Sequence, residues 1–260
     1  MITNRIKKTV ASLAEVKGRR KEGLFLAEGT KCVLDTLGHF SLYLLIALPD
    51  WISDHSRDID GIAAEKILSA TRAEIKEMST LSTIPAVMAV YRIPEAVEFT
   101  PGFCSRSLVV ALDRVQDPGN LGTIIRTCDW MGVTHIVASR ETVDVYNPKT
   151  VQATMGAISR VAVTYTDLPE FLASLPQEAP VYGTFLDGEN IYTSSLGATG
   201  VVVMGNEGSG ISDEVAAHVT RRLLIPSFPP DRPTSESLNV ATATAIALSQ
   251  FRCRQIKSRN

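Results

Sequence analysis

A glycine-rich stretch in the C-terminal third of the chain is the first candidate for chemistry. It reads GNEGSGIS and places Gly205, Gly208 and Gly210 around the carboxylate of Glu207. Glycine lets the backbone approach a ligand closely, but the GxxGxG order matches neither a dinucleotide fingerprint nor a phosphate loop. Because a carboxylate repels phosphate, the stretch indicates a neutral or cationic ligand. The alternative is an ordinary turn, since glycine supplies the positive φ angles that turns need.

A second stretch, at 113–126, brings an amide and a guanidinium close together in the sequence DRVQDPGNLGTIIR. Asn120 or Thr123 could cap the helix that follows. Arg126 lies in the first turns of that helix, where it could bind a phosphate group. It could equally pair with Asp129, since residues three apart on a helix are neighbours.

The third stretch, at 226–239, contains four prolines in the sequence PSFPPDRPTSESLN. Proline prevents helix formation within the stretch, whereas Ser235 and Ser237 favour the start of a helix. A long helix rich in Ala and Thr is predicted over 237–255. Asn239 then has two interpretations: its amide either satisfies the start of this helix or positions a hydroxyl group of a substrate.

Short apolar segments after residue 106 indicate the elements that position these stretches. They are β-branched and almost entirely apolar, as expected for strands that are covered on both faces. Strands are predicted at 107–112, 135–138, 160–163, 181–186, 200–204 and 222–225, and helices at 121–131, 168–174 and 237–255. This alternation predicts an α/β fold with a mainly parallel sheet. Ligands bind at the C-terminal ends of such strands, so the three stretches are expected to converge.

The part of the chain before residue 94 reads as a separate small α/β domain. Strands are predicted at 24–27, 42–48 and 86–91, with helices at 30–37 and 71–78. A segment with two prolines and a glycine follows, which suits a linker. We therefore predict an N-terminal domain at 1–93, a linker at 94–106 and a C-terminal domain at 107–260.

Composition excludes several classes of protein. The chain has 260 residues, of which 45% are hydrophobic and 21% charged, which is ordinary globular usage. The longest apolar run spans 42–48, whereas a membrane helix needs about 20 residues, and no export signal is visible. The four cysteines are far apart in sequence, so we expect reduced thiols in a cytoplasmic protein, with neither a zinc site nor any other metal site.

The net charge of -2 conceals an uneven distribution. Residues 1–31 carry eight Lys and Arg against three Glu, and 249–260 carry four Lys and Arg with no acid. Basic ends on an acidic body indicate a partner that is a polyanion. The alternative is that terminal charges only keep the ends solvated.

Taken together, the three stretches resemble the SpoU/TrmH family of RNA ribose 2'-O-methyltransferases, within the SPOUT superfamily. The family's first motif is matched by Asn120, Gly122 and Arg126, and its second by Gly205, Glu207, Gly208 and Gly210. The third is matched by Ile225, Pro226, Ser237, Leu238, Asn239 and Val240. The segment RRKEGLFLAEG at 19–29 is similar to the start of the family's N-terminal RNA-binding domain. One departure is the longer, proline-rich segment SFPPDRPTSE at 227–236.

The resemblance implies a trefoil-knotted SPOUT methyltransferase domain, preceded by a small ribosomal-protein-like α/β domain that binds the substrate. It also implies methyl transfer from S-adenosylmethionine to a ribose 2'-hydroxyl of RNA, by a homodimer. Ribosomal RNA is the expected substrate, because relatives that act on transfer RNA often lack the N-terminal domain. The alternatives are a transfer RNA methyltransferase, a non-catalytic ribosome-assembly factor and a nucleotide-binding α/β enzyme of another class.

The resemblance also assigns residues. The implied catalytic residues are Asn120, Arg126, Glu207, Ser237 and Asn239. The implied cofactor-binding residues are Thr184, Leu186, Gly205, Asn206, Gly208, Gly210, Ile225, Pro226 and Leu238. The basic residues expected to bind RNA are Lys17, Arg19, Arg20, Lys21 and Arg126. Because a guanidinium stays protonated, we expect Arg126 chiefly to hold an RNA phosphate; a role as general base remains open.

Overall fold

We describe the protein from a computed structural model that covers residues 2–95, 99–229, 235 and 237–257. Residues 96–98 of the predicted linker, and Pro230 and Pro233 of the third stretch, lie outside the described residues. The chain forms two compact units. The first contains Met1–Glu95 and Asp144–Ser159, and the second contains Ala96–Val143 and Arg160–Asn260. This grouping differs from the predicted domain bounds at 144–159, and those bounds remain a prediction.

The secondary structure is numbered in chain order. The helices are α1 (Asn4–Ser12), α2 (Val16–Glu22), α3 (Thr30–Thr36), α4 (Pro49–Asp54), α5 (Arg72–Met78), α6 (Pro118–Trp130), α7 (Pro148–Thr154), α8 (Leu168–Ala173), α9 (Asp213–Ala216) and α10 (Val240–Lys257). The strands are β1 (Leu24–Glu28), β2 (Leu42–Ala47), β3 (Ile67–Ser69), β4 (Val87–Arg92), β5 (Leu108–Leu112), β6 (His135–Ser139), β7 (Ala162–Thr166), β8 (Val181–Asn190), β9 (Gly200–Met204) and β10 (Arg221–Leu224).

The first unit is built on a four-stranded mixed sheet in the order β1-β4-β2-β3. β4 is antiparallel to β1 and β2, and β2 is parallel to β3. All of β1 is buried, and so is β4 as far as Tyr91. The strands predicted in this part are confirmed as β1, β2 and β4, and the helices as α3 and α5. The short strand β3 and the helices α1, α2 and α4 were not predicted.

The environment of Arg19 differs from that of the predicted RNA contact. Its side chain is only 1% exposed, although its neighbours Lys17, Arg20 and Lys21 on α2 are exposed. The Arg19 guanidinium donates to Asp144 from Nε at 2.8 Å and to the carbonyl oxygen of Leu13 from Nη1 at 2.8 Å. Its Nη2 lies 2.7 Å from the same Asp144 carboxylate. The prediction that Arg19 binds RNA is therefore wrong, because its donors are used inside the first unit.

The second unit contains a six-stranded, all-parallel sheet in the order β10-β8-β9-β5-β6-β7. This confirms the predicted α/β fold class with a parallel sheet. The two central strands, β5 and β9, are fully buried, which explains their unbroken apolar sequences. Leu112 pairs with Met204 at the ends of these strands. The stretches that begin at 113 and 205 therefore leave the sheet side by side.

The ends of the elements differ from prediction at several points. The predicted strand at 160–163 is instead β7, which begins at Ala162, and β8 continues to Asn190. Asp117 caps α6 by accepting from the Asn120 backbone at 2.7 Å, so neither Asn120 nor Thr123 is the cap. The last helix begins at Val240 rather than at residue 237.

The cysteines match the expectation of reduced thiols. Each of the four cysteines is a free thiol. Burial raises the pKa of Cys32 and of Cys104 to about 11, so these thiols are poor nucleophiles near neutral pH. Within the described part of the chain, no helix has the length and apolarity that a membrane crossing requires.

The buried pair of Arg19 and Asp144 predicts a large effect on stability. Arg19→Gln removes the charge opposite Asp144 and leaves carbonyl groups without a donor, so unfolding should become easier by about 3 kcal/mol. Arg20→Gln, the matched control on the exposed side of α2, should change stability by less than about 0.5 kcal/mol. Urea unfolding followed by circular dichroism measures both. Equal midpoints for the two variants would contradict this role of Arg19.

Candidate active site

The ends of the central strands open into a cavity of about 500 Å³ in the second unit. Its size is typical of a site for a small molecule. Eight of the nine predicted cofactor-binding residues line it: Thr184, Leu186, Gly205, Asn206, Gly208, Gly210, Ile225 and Leu238. Pro226 is not among its lining residues. Residues that line the cavity but were not predicted to bind the cofactor include Phe185, Met204, Ser209 and Val240. The apolar ones, Phe185, Met204 and Val240, look like ordinary core residues in the sequence.

The glycine-rich stretch forms a tight loop over the cavity. Asn206 and Gly210 exchange backbone hydrogen bonds of 2.9 and 3.0 Å. The Asn206 side chain accepts from the backbone of Gly208 at 2.9 Å, which closes the turn from inside. A Cβ on Gly205 would lie 2.3 Å from the backbone of Gly210. Glycine at 205 is therefore required by the close approach of the two ends of the loop.

Asp113 and Arg114 connect this loop to the stretch that follows β5. The Asp113 side chain is buried and accepts from the Ser212 backbone at 2.6 Å. Asn206 donates from Nδ2 to the carbonyl oxygen of Arg114 at 2.8 Å. Arg114 has a φ of 58°, which is uncommon for a residue other than glycine. Asp113 was not predicted as a site residue, although an acid directly after a buried parallel strand is a usable signal in the sequence.

Three predicted catalytic residues form a continuous chain of hydrogen bonds. Asn120 donates from Nδ2 to Glu207 Oε1 at 2.9 Å, and Asn239 donates from Nδ2 to Asn120 Oδ1 at 2.9 Å. The Asn239 Oδ1 atom accepts from the backbone of Ala241 at 2.9 Å at the start of α10. Asn239 thus caps the helix and also reaches the first stretch. The structure therefore brings the three sequence stretches together through one residue from each.

The other two predicted catalytic residues, Arg126 and Ser237, lie outside this chain. Arg126 is exposed on α6, and its side chain has no hydrogen bond or ion pair to another described residue. The alternative pairing with Asp129 is wrong, because Asp129 pairs with Arg160 at 2.8 Å. Ser237 is exposed and lines the cavity, but Asn239 rather than a serine caps α10.

The charge of the cavity indicates its ligand. Glu207 is the single ionisable side chain among the described residues that line it. Lys and Arg, the cations that bind phosphate groups, do not occur among these described lining residues. The walls are otherwise apolar side chains, small hydroxyl groups and the backbone of the glycine-rich loop. This combination favours a ligand that is partly apolar and carries a positive charge.

One wall of the cavity depends on a residue that does not line it. The pairing of β8 with β10 jumps from Gly183 to Glu189, so 184–188 leave the regular ladder. The Arg222 guanidinium lies 3.5 Å from the centre of the Phe185 ring and also pairs with Asp187. This hydrogen bond holds the pKa of Asp187 below its ordinary value. Arg222 therefore fixes the segment that presents Thr184, Phe185 and Leu186 to the cavity.

We find no candidate metal site among the residues that the structure describes. A group of three or more His, Cys, Asp or Glu side chains suited to a metal ion does not occur among them.

Asn239 caps α10 and also bonds to Asn120, and its role as a cap can be tested by substitution. Asn239→Ala removes the cap of α10 and should lower the free energy of unfolding by about 1 kcal/mol. Asn239→Ser keeps a capping oxygen and should remain within a few tenths of a kcal/mol of the native protein, although it is too short to reach Asn120. Urea unfolding of the two variants tests this. The role as a cap would be refuted if the alanine variant were as stable as the serine variant.

Comparison with known proteins agrees with the geometry. Residues 107–249 match the SpoU rRNA Methylase family, and residues 4–89 match the MRM3-like substrate binding domain. The chain is 30% identical over 238 residues to the 23S rRNA (guanosine(2553)-2'-O)-methyltransferase RlmP of Bacillus subtilis. The aligned residues cover 91% of each chain.

Solved structures are similar over nearly the whole chain. A protein of the TrmH family from Porphyromonas gingivalis is 38% identical, with a TM-score of 0.87 over 98% of this chain and 99% of that one. An AdoMet-bound rRNA methyltransferase from Sinorhizobium meliloti is 29% identical, with a TM-score of 0.83 over 98% and 96% of the two chains. The trefoil knot remains an implication of the fold family. With the family match extending over more than half of its length, this chain belongs to the SpoU rRNA methylase family.

Proposed function

We propose that this protein transfers a methyl group from S-adenosylmethionine to a ribose 2'-hydroxyl group of ribosomal RNA. The observation that carries the proposal is the cavity under the glycine-rich loop, which is lined by one carboxylate and no cation among its described residues. Family membership supports the same reaction, because similar proteins are named as rRNA 2'-O-methyltransferases.

The residues of the cavity fit S-adenosylmethionine. When bound, this cofactor supplies a methyl group on a positively charged sulfonium, which is already a good electrophile. The backbone of the loop around Gly205 and Gly208 offers hydrogen bonds to its polar groups, and Leu186, Ile225 and Leu238 offer apolar surface. Glu207 contributes the negative charge that favours a cation. A nucleoside triphosphate would meet the same carboxylate with no compensating cation among the lining residues that the structure describes.

The protein's main task is to align the ribose. Asn120 is held from one side by Glu207 and from the other by Asn239, so its amide has a fixed direction. The guanidinium of Arg126 has no partner among the described residues, which leaves its donors available for an RNA phosphate. Alignment of two reactants can contribute roughly 7–11 kcal/mol to a reaction of this kind. We assign Asn120, Glu207 and Asn239 to the alignment and Arg126 to the RNA backbone.

The remaining assignments concern the setting of the reaction. We assign the first unit to RNA binding, with Lys17, Arg20 and Lys21 exposed on α2. Similarity to bacterial rRNA methyltransferases supports ribosomal RNA as the substrate and the cytoplasm as the location. We also propose a homodimer, as the family resemblance implies.

The reaction is tested by mapping 2'-O-methylated nucleotides in ribosomal RNA from cells with and without the gene. One methylated ribose should disappear without the gene and return when the gene is restored. Restoration with Asn120→Ala should not return it. An unchanged methylation map, together with no methyl transfer to unmodified ribosomal RNA in vitro, would refute the proposal.

Arg126 tests how the RNA is held. Loss of a charged hydrogen bond costs about 1.5–3 kcal/mol, so Arg126→Gln should reduce kcat/KM roughly 10- to 100-fold. Arg126→Lys should recover most of the loss, because the positive charge remains. Cofactor affinity should be unchanged in both variants. If instead the lysine variant recovers activity only at raised pH, Arg126 takes part in proton transfer and the assignment to the phosphate fails.

Arg222 tests the wall of the cofactor cavity. Arg222→Gln removes the contact with Phe185, which is worth about 1 kcal/mol at an exposed site, so the Kd for S-adenosylhomocysteine should rise about fivefold. Arg221→Gln is the matched control, because Arg221 pairs with Glu189 and lies beside Tyr182, neither of which lines the cavity. Its Kd should stay within twofold. Calorimetric titration measures both, and equal effects would contradict a specific role of Arg222.

A further inference from the structure

The first unit contains a groove that the proposed reaction does not explain. It has a volume of about 560 Å³ and runs between α1, α2 and the start of β2. It is lined by Asn4, Arg5, Ile6, Lys8, Thr9, Val10, Lys21, Glu22, Tyr43 and Leu44. We call it the basic groove. It lies wholly within the first unit, whereas the cofactor cavity belongs to the second.

A bulge in β2 directs an aromatic ring towards this groove. Leu42 pairs with Tyr91 and Leu44 pairs with Val90, so Tyr43 is an extra residue without a partner in the ladder. Bulges of this type change the direction of a side chain. The Tyr43 side chain is 38% exposed, and its hydroxyl group makes no hydrogen bond to any residue that the structure describes. A ring that only filled the core would be buried, whereas this one remains accessible to a ligand in the groove.

Positive charges surround this ring. Arg5, Lys8 and Lys21 line the groove, and Glu22 is its one carboxylate among the described lining residues. Glu22 lies 3.6 Å from Lys21. The Arg92 guanidinium, at the end of β4, lies over the Tyr43 ring at 5.4 Å from its centre. The groove therefore combines a partly exposed aromatic ring with cations placed around it.

We propose that the basic groove binds an unpaired RNA nucleotide, with the base stacked on Tyr43 and the flanking phosphates held by Arg5, Lys8 and Lys21. Stacking on an aromatic ring inside a positively charged groove is how proteins bind single-stranded nucleic acid. An acidic protein segment would use the same cations but would gain little from the redirected ring. The inference rests on the proposed function in that RNA is the polyanion, and it adds where the RNA is held.

The stacking is tested with the full-length protein and a fluorescein-labelled oligouridylate of 12 nucleotides. Fluorescence anisotropy should show an affinity about tenfold lower for Tyr43→Ala than for the native protein. This is the loss expected when the stacking of one base on an aromatic ring is removed. Tyr43→Phe keeps the ring and should stay within twofold of the native protein. Tyr192→Ala is the control, since Tyr192 is similarly exposed but lies in the second unit. Circular dichroism establishes that each variant is folded.

The phosphate contacts are tested by salt dependence. For single strands, each phosphate contact contributes about 0.7 to the slope of log affinity against log salt concentration. Replacing Arg5, Lys8 and Lys21 together by Gln should therefore reduce the slope by about 2. Lys76→Gln, an exposed lysine on α5 outside the groove, should leave it unchanged.

Three results would overturn the inference. One is an affinity for oligouridylate that does not change in Tyr43→Ala. Another is an unchanged salt slope in the triple variant. The third is displacement of the oligouridylate by polyglutamate equally well from the native protein and from Tyr43→Ala, which would point to an acidic protein partner. Methyl transfer and S-adenosylhomocysteine binding, measured on the same samples, report separately on the proposed function.

Discussion

Two side-chain hydrogen bonds hold the candidate active site together. Glu207, Asn120 and Asn239 come from stretches that are about 30 to 120 residues apart, and each follows a different strand of the parallel sheet. The sheet brings the stretches to one edge, but it does not fix their side chains. The two bonds do so, and Asn239 also fixes the start of α10. The position of the last helix and the geometry of the site are therefore set by the same residue.

The glycine-rich loop and the charge of the cavity follow from this arrangement. Asp113 and Asn206 bind the loop to the stretch after β5, so Glu207 is presented next to Asn120. The carboxylate can then serve both as an acceptor for Asn120 and as the negative charge of the cavity. Arg126, which no described residue neutralises, remains on the outside of α6. The site therefore has a cavity suited to a positively charged ligand and, on the outside of α6, a surface suited to an anion.

Features of the structure that have a local signal in the sequence could be predicted. The buried strands are unbroken apolar runs, and the three motif stretches could be recognised in order, so the parallel sheet and most cavity residues were predicted. Contacts between residues that are far apart in the sequence could not be predicted. Arg19 lies in a basic run that suits a solvated surface, and its partner Asp144 is 125 residues away. The bulge at Tyr43 depends on the register between two strands, which the pattern of apolar residues does not specify.

The central claim is that three distant stretches form one cavity for a methyl donor, with their side chains already in place. A crystal structure of the protein with S-adenosylhomocysteine tests this most directly. We predict the ligand under the loop at 205–210, against Leu186 and Leu238, with the hydrogen bonds from Asn120 to Glu207 and from Asn239 to Asn120 retained. A ligand bound elsewhere, or bound here with Asn120 and Asn239 separated from Glu207, would contradict the account.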